Sequence, residues 1–582
     1  MSEKKEPGLL WTAAGLVLLS GAAALILETV WLRMLSRAFG VTVHAVSTVV
    51  SVYMGGLALG AWGASRLLKG RDGLKIYACL EAGAALAALA CTWAMLRLPA
   101  ALAAAAGEQA LSPGLRLLLC VPVLLPPTVL WGATLPALIR FFAGSGGAPE
   151  AAGKLYGANT VGAALGAAAA GFWLIGEWGE TATVAAGAGL GLAAACGAWM
   201  MRTSARATAA AQAPDTQAPG TGKGAPVLWL YALSGFCALG YEILWSRQLT
   251  LLLGNSVYAF SLELALILTG IGLGSLGWRR RLWLGKSAMA EFGGLQLALA
   301  AAAVWSLLAY RWLGLAADSP NYLYSPLTGP ADFLRMGFQA AVMILPASVT
   351  MGLLFPAAAA ALAPAGGRPE ALVGRLYAFN TVGAILGSLA AGFFGIEALG
   401  THGCFLAFAA LNLVSGLTAL RLEPARDRAP NFASAALAGL AAVSILFLRE
   451  DPTVRILSRR LVRDLGAFEL MFHRESAAAT VTGIAVGPRR TLLINGIKTA
   501  GKGFEGALMA AIPNALLEKV ESTLVICFGA GSTYRTASRL GGEVHAVELV
   551  GAVVEAMPYF WDDALRHLRW PGRAQFIEDG RH

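Results

Sequence analysis

The chain is 582 residues long, 57% hydrophobic and only 13% charged, with a mean hydropathy of +0.63. A soluble domain carries about 25% charged residues, so this composition excludes water as the main solvent and predicts a polytopic protein of the lipid bilayer. The net charge of +10 is shared among loops between apolar runs and forms no basic cluster with interleaved aromatics, which excludes a nucleic-acid surface.

In chain order, "MSEKKEPG" runs into an apolar segment without a small-residue cleavage site, which predicts a retained first span. Apolar runs of roughly 20 residues can cross a bilayer as helices. Six fall near 9–30, 45–67, 75–96, 115–141, 155–175 and 181–201, and six more near 226–250, 258–278, 287–311, 334–362, 375–396 and 402–421. Residues 202–226 are rich in Ala, Pro, Thr and Gly and read as a flexible linker. The seven cysteines lie singly and the histidines are scattered, so neither a disulfide framework nor a metal site is expected.

The two sets of spans are copies. "SGAAALILETVWLRMLSRAFGVTVHA" (Ser20–Ala45) returns as "SGFCALGYEILWSRQLTLLLGNSVYA" (Ser234–Ala259), and "PEAAGKLYGANTVGAALG" (Pro149–Gly166) returns as "PEALVGRLYAFNTVGAILG" (Pro369–Gly387). Two matched blocks in the same order indicate a duplication. An even number of spans per copy makes the copies parallel in the membrane, as in the halves of major-facilitator transporters. Lys and Arg concentrate on the N-terminal side, as in Arg66, Lys69, Arg71, Lys75 and Arg279, Arg280, Arg281, Lys286. This asymmetry predicts a cytoplasmic N-terminus. One more apolar run, 432–448, is at the short limit for a span. If it crosses, the spans number thirteen and the tail lies outside; if it folds back, they number twelve and the tail lies inside.

From about Arg455 the sequence turns charged and alternating. Thr480–Lys498 reads as two strands around "VGPRR", followed by a helix at Ala507–Glu518. "STLVICFGAGSTYRTASRL" then gives a strand (Thr523–Phe528), a turn with Gly529 and Gly531, and a helix; "EVHAVELV" gives a second strand carrying Glu548. Glycines let a backbone approach a nucleoside, and an acidic residue at the end of the following strand accepts from ribose hydroxyls.

With these motifs in view, Thr480–His582 resembles the spermidine synthase family, with "FGAGST", "AVELV" and "IEDGRH" at the places of its glycine motif, ribose carboxylate and adenine-contacting Asp-Gly. Together with "LYGANTVGAALG" and "LYAFNTVGAILG", the whole chain resembles the fused major-facilitator/spermidine synthase membrane proteins. The resemblance implies a Rossmann-like domain over 455–582 that binds S-adenosylmethionine or decarboxylated S-adenosylmethionine without a metal. Gly529 and Gly531 would lie beside the nucleoside, Glu548 on the ribose and Asp579 on the adenine edge. It also implies a bacterial inner membrane. The departures are substantial. Cys527-Phe528-Gly529-Ala530-Gly531-Ser532 replaces a Gly-Gly-Gly-Asp-Gly-Gly run, Glu505-Gly506-Ala507 replaces Tyr-His-Glu, and Thr499 stands in place of a Gln. No catalytic base is identifiable, and the domain reads as incomplete at its C-terminal end.

Charged groups inside spans are costly and are functional candidates by default. Glu28 and Glu242 recur at matching places, followed by Arg33 and Arg247; Glu81 and Glu291 also match, as do Asn159 and Asn380 in the repeated "NT". Duplicated polar residues serve either as clamps between helices or as a solute or proton path. Glu263 matches Val49 in the first copy, which makes it the asymmetric carboxylate.

The expected architecture is thus a polytopic all-α membrane domain of two parallel six-helix repeats (1–201 and 227–421), a possible extra span at 432–448, and an α/β tail. Two functions follow from it. One is a membrane-anchored transferase moving an aminopropyl or methyl group to an amine or membrane-borne acceptor; the alternative is a transporter with a regulatory or vestigial nucleoside-binding tail.

Overall fold

A computed structural model describes residues 6–39, 43–68, 71–106, 113–142, 148–206, 224–253, 257–278, 287–316, 330–366, 368–422, 466–476 and 479–578, together with Ala438, Gly439, Ala442 and Ile456. The remainder of the run 432–448 and Asp579 lie outside the described residues.

The first copy forms α1 (Glu6–Phe39), α2 (Val43–Leu67), α3 (Gly73–Ala106), α4 (Pro113–Phe142), α5 (Ala148–Ala169) and α6 (Ile175–Arg206). The second forms α7 (Gly224–Leu253), α8 (Val257–Gly277), α9 (Ala288–Ala316), α10 (Pro330–Leu362), α11 (Pro369–Leu389) and α12 (Ile396–Leu422). Eight stretches of the described residues are long and apolar enough to cross a membrane, and two of them, Ala151–Arg202 and Pro369–Leu422, each hold two helices. In both of these the helices join through a π-helical turn (Ala170–Leu174 and Ala390–Gly395) and a glycine with positive φ, Gly179 at 74° and Gly400 at 68°. Helices bond most of their backbone internally, which is what an apolar solvent demands.

The duplication seen in the sequence is a duplication of contacts. α1 packs on α5 and α6 as α7 packs on α11 and α12, and α2 packs on α4 as α8 packs on α10. Trp31 Nε1–H donates to Thr92 Oγ1 at 2.9 Å between α1 and α3, and Trp245 Nε1–H donates to Ser306 Oγ at 2.7 Å between α7 and α9. Pro126 and Pro136 in α4 answer to Pro346 and Pro356 in α10, and each removes a helical hydrogen bond at a corresponding depth. The halves meet where α5 crosses α8 and α2 crosses α11.

Close backbone approach holds the α1–α5 and α7–α11 pairs together, as small residues permit in membranes. A Cβ on Gly162 would stand 2.0 Å from the Leu18 carbonyl oxygen, and one on Gly383 would stand 1.9 Å from that of Ala232. Both neighbours are rigid helix backbone. Gly383→Leu is therefore expected to force α7 and α11 apart and to cost at least the ~1–3 kcal/mol typical of overpacking. The check is a loss of monodisperse folded protein on detergent size exclusion after mild heating.

The ends of the helices define two faces. α1, α3, α5, α7, α9 and α11 start on one, where Arg140 at the end of α4 pairs with Glu370 at the start of α11 (2.9 Å), and Arg202 of α6 pairs with Asp72 before α3 (2.6 Å). α12 ends on this same face, with Gly416 and Leu420 against Gly293 of α9, and Ala438 packs beside Leu413, next to Ala290, Leu297 and Leu420.

The tail builds two small sheets. β1 (Glu469–Glu475), β2 (Thr480–Val486), β3 (Arg489–Ile494) and β4 (Ile497–Gly501) form an antiparallel sheet in that order, with Val481 opposite Ile494. After α13 (Glu505–Ala515), the strands β5 (Ser522–Ile526), β6 (Glu543–Glu548) and β7 (Arg573–Ile577) lie parallel in sequence order. They alternate with α14 (Ser532–Leu540), α15 (Gly551–Phe560) and α16 (Ala564–Leu568). A shared core of Val481, Leu492, Val525, Phe528, Tyr534, Val544, Val553, Met557 and Phe560 joins the two sheets. Leu524, Ile526 and Phe576 are exposed, so the parallel strands have one covered face. Where the sequence predicted a Rossmann-like domain, the described residues form this three-stranded parallel sheet with its helices.

Candidate functional site

The intramembrane candidates divide by what they touch. Glu81 on α3 is fully buried and accepts from Ser20 Oγ–H of α1 at 2.5 Å, which fastens those helices. Glu291 is buried in the first turn of α9, a turn begun by Ser287, whose Oγ accepts from Ala290 N–H at 3.0 Å. Asn380 donates through Nδ2 to the Tyr231 carbonyl of α7 at 3.1 Å. Asn159 holds the corresponding place against Gly21 of α1, where its backbone carbonyl forms the floor of the contact. Glu81, Asn380 and Asn159 thus make bonds and contacts between helices.

Glu28, Glu242 and Glu263 are placed differently. Glu28 of α1 and Glu242 of α7 lie across from each other, close enough to act on one another electrostatically, and Glu263 of α8 faces Glu242 in the same way. Glu28 and Glu242 lie deep in the bundle, one from each half, and neither residue is fully covered. Glu263 is 2% exposed; its carboxyl is turned to the Ser246 hydroxyl, and its Oε1 has no hydrogen-bond partner among the described residues.

Tyrosines that were not among the sequence candidates complete the cluster. Tyr53 of α2 lies beside Glu28, its hydroxyl donating to the Ala24 carbonyl at 3.5 Å, and Tyr377 of α11 is near enough to act on the same carboxyl electrostatically. Tyr377 also faces Tyr156 of α5 and Tyr231 of α7, while Tyr156 stacks on Phe355 of α10 with ring centroids 4.2 Å apart. The signal for two of them was present: Tyr156 and Tyr377 occupy the same position in "LYGANT" and "LYAFNT". The outcome is an acidic, phenol-walled cluster drawn from both halves. Carboxylates and the faces of aromatic rings are what a desolvated cation requires.

In the tail, the glycine turn and the acidic strand end come together. Gly529 (φ 56°) and Gly531 (φ 77°) both take the left-handed conformation that favours glycine. Glu548 ends β6 beside this turn, where Oε2 accepts from Phe528 N–H at 2.8 Å and Oε1 accepts from Val550 N–H at 3.0 Å. Oε2 thus fastens β6 to the β5 turn while Oε1 holds the backbone that enters α15, and the side chain is buried, with 9% of the residue exposed. The carboxylate is occupied with backbone amides.

Asp563 anchors the helices behind the turn. Arg535 donates to both of its oxygens, at 2.7 and 2.9 Å, and Arg539 adds a third bond. Bonding to Arg535 first, and then to Arg539, holds its carboxyl well below the usual range. A depressed folded-state pKa contributes stability that is present above the unfolded value and lost as pH falls through the folded one. Asp563→Asn is expected to weaken α14 and α16 by ~1–3 kcal/mol at neutral pH and by little in strong acid. Hydrogen exchange of their amides at both pH values checks this.

No protein-family model and no curated protein matches the chain. Among solved structures it is similar to the major-facilitator proton:xylose symporter XylE bound to 6-bromo-6-deoxy-D-glucose, at 13% identity and a TM-score of 0.43, over 75% of this chain and 99% of that one. It is also similar to the human organic anion transporter MFSD10 (TETRAN), at 14% identity and a TM-score of 0.40, over 70% and 99%. A third similar structure is the nucleoside transporter NupG, at 12% identity and a TM-score of 0.40, over 72% and 100%.

Proposed function

We propose that the protein is a membrane transporter for a small organic cation, with amines as the first class to test. The observation that carries this reading is the convergence of Glu28, Glu242 and Glu263, from α1, α7 and α8, where two duplicated halves face each other. A site at the seam of a repeat is one that rocking of the halves can expose to either side in turn. Solute binding and proton binding would compete for the same carboxylates, which couples the two. The test is uptake of radiolabelled mono-, di- and triamines into proteoliposomes under an imposed pH gradient. Amine flux that depends on the protein supports the reading, and the absence of flux for every amine overturns it.

The second reading, favoured by the meeting of Glu548 with the Gly529–Gly531 turn, is an adenosyl-binding tail of the spermidine synthase kind. S-adenosylmethionine or its decarboxylated form would lie against Gly529 and Gly531, with ribose hydroxyls on the lone pairs that Glu548 retains. Titration calorimetry of the full chain with each compound tests it. Binding abolished by Glu548→Ala supports the site, and no heat with either compound removes it.

A further inference from the structure

The two halves differ at one place on the face where α1 and α7 end. In the first half Arg33 of α1 pairs with Glu180, just past the Gly179 kink of α6, at 3.2 Å. In the second half the repeat places Arg247 on α7 and Thr401 just past the Gly400 kink of α12, so the arginine persists and the carboxylate does not. The tail supplies one. Glu475, the last residue of β1, accepts through Oε2 from Thr401 N–H at 2.7 Å and from Thr401 Oγ1–H at 3.0 Å. Glu475 also acts electrostatically on Arg247, whose Nη2–H donates to the carbonyl of the adjacent Ser476 at 2.5 Å. A carboxylate there satisfies an orphan amide of the restarted helix and opposes the positive end of its dipole.

We infer that β1 of the tail is a built-in clamp of the second half: Glu475 replaces the missing partner of Arg247 and fastens the outer ends of α7 and α12, as Glu180 fastens α1 to α6. The partner surface of the tail is therefore the membrane domain of its own chain. Both helices belong to the second half, so the clamp fixes the packing within that half on this face, and its bearing on flux rests on the transporter reading.

The test is hydrogen exchange of residues 400–406 in the full chain in nanodiscs, comparing the wild type with Glu475→Ala, Glu475→Gln and the double variant Glu475→Ala with Thr401→Glu. The Gln variant keeps the shape and guards against a folding failure. Faster exchange of about tenfold in the Ala variant, a smaller increase in Gln, and recovery of protection in the double variant are expected. Unchanged exchange in the Ala variant overturns the clamp, as does a folded double variant without recovery. Exchange that responds as expected in a protein that moves no amine would sink the transporter reading and leave the clamp standing.

Discussion

Glu263→Gln is expected to lower amine flux at least tenfold without lowering the yield of folded protein. The side chain keeps its shape and its contact with Ser246 and loses only the charge. Two unit charges 4 Å apart interact by about 4 kcal/mol at an effective dielectric constant near 20, and each 1.4 kcal/mol is a factor of ten in affinity. Retaining even a third of that interaction between carboxylate and solute accounts for a tenfold loss. Stability should not fall, because Oε1 of Glu263 has no hydrogen-bond partner to surrender among the described residues. Glu81→Gln supplies the contrast. Its carboxyl bonds Ser20 between helices and stands apart from the cluster, so flux per folded molecule should hold while thermal stability declines. Uptake at saturating and at limiting amine separates a binding defect from a turnover defect. Wild-type flux in Glu263→Gln would remove this carboxylate from the solute path.

Periodic and repeated features are legible in the amino-acid sequence. The duplicated blocks foretell paired helices and close contacts at Gly162 and Gly383, because a helix contact repeats its glycines when the fold repeats. The conjunction of Glu548 with the glycine turn is legible too, since strand, turn, helix and strand form a local unit. What Glu548 bonds is not, because spacing does not say whether a carboxylate faces a ligand or a backbone amide. The division between Glu81 as a clamp and Glu28, Glu242 and Glu263 as a cluster is equally hidden. It depends on helix rotation and on which helices meet at the seam. The β1 contact is the least accessible: Arg247 announces a missing partner, yet nothing local ties it to Glu475, 228 residues away.

A topology reporter fused after His582 is expected to read outside the cytoplasm, and one inserted within 207–223 to read inside. Two independent facts lead there. α12 ends at Leu422 on the face where α1 begins, while Glu475 rests against Arg247 and Thr401 on the opposite face, so the tail and the N-terminus lie on different sides. Lys and Arg crowd the loops of the N-terminal face, as expected of a cytoplasmic face. On the expected reading the glycine turn faces away from the cell's S-adenosylmethionine, where a carboxylate can serve the clamp but a transferase would lack its donor. An outside reading at the C-terminus therefore strengthens transport at the expense of group transfer. A cytoplasmic reading there would break the bonds of Glu475 to α12, remove the clamp, and return the adenosyl compounds to reach of Glu548.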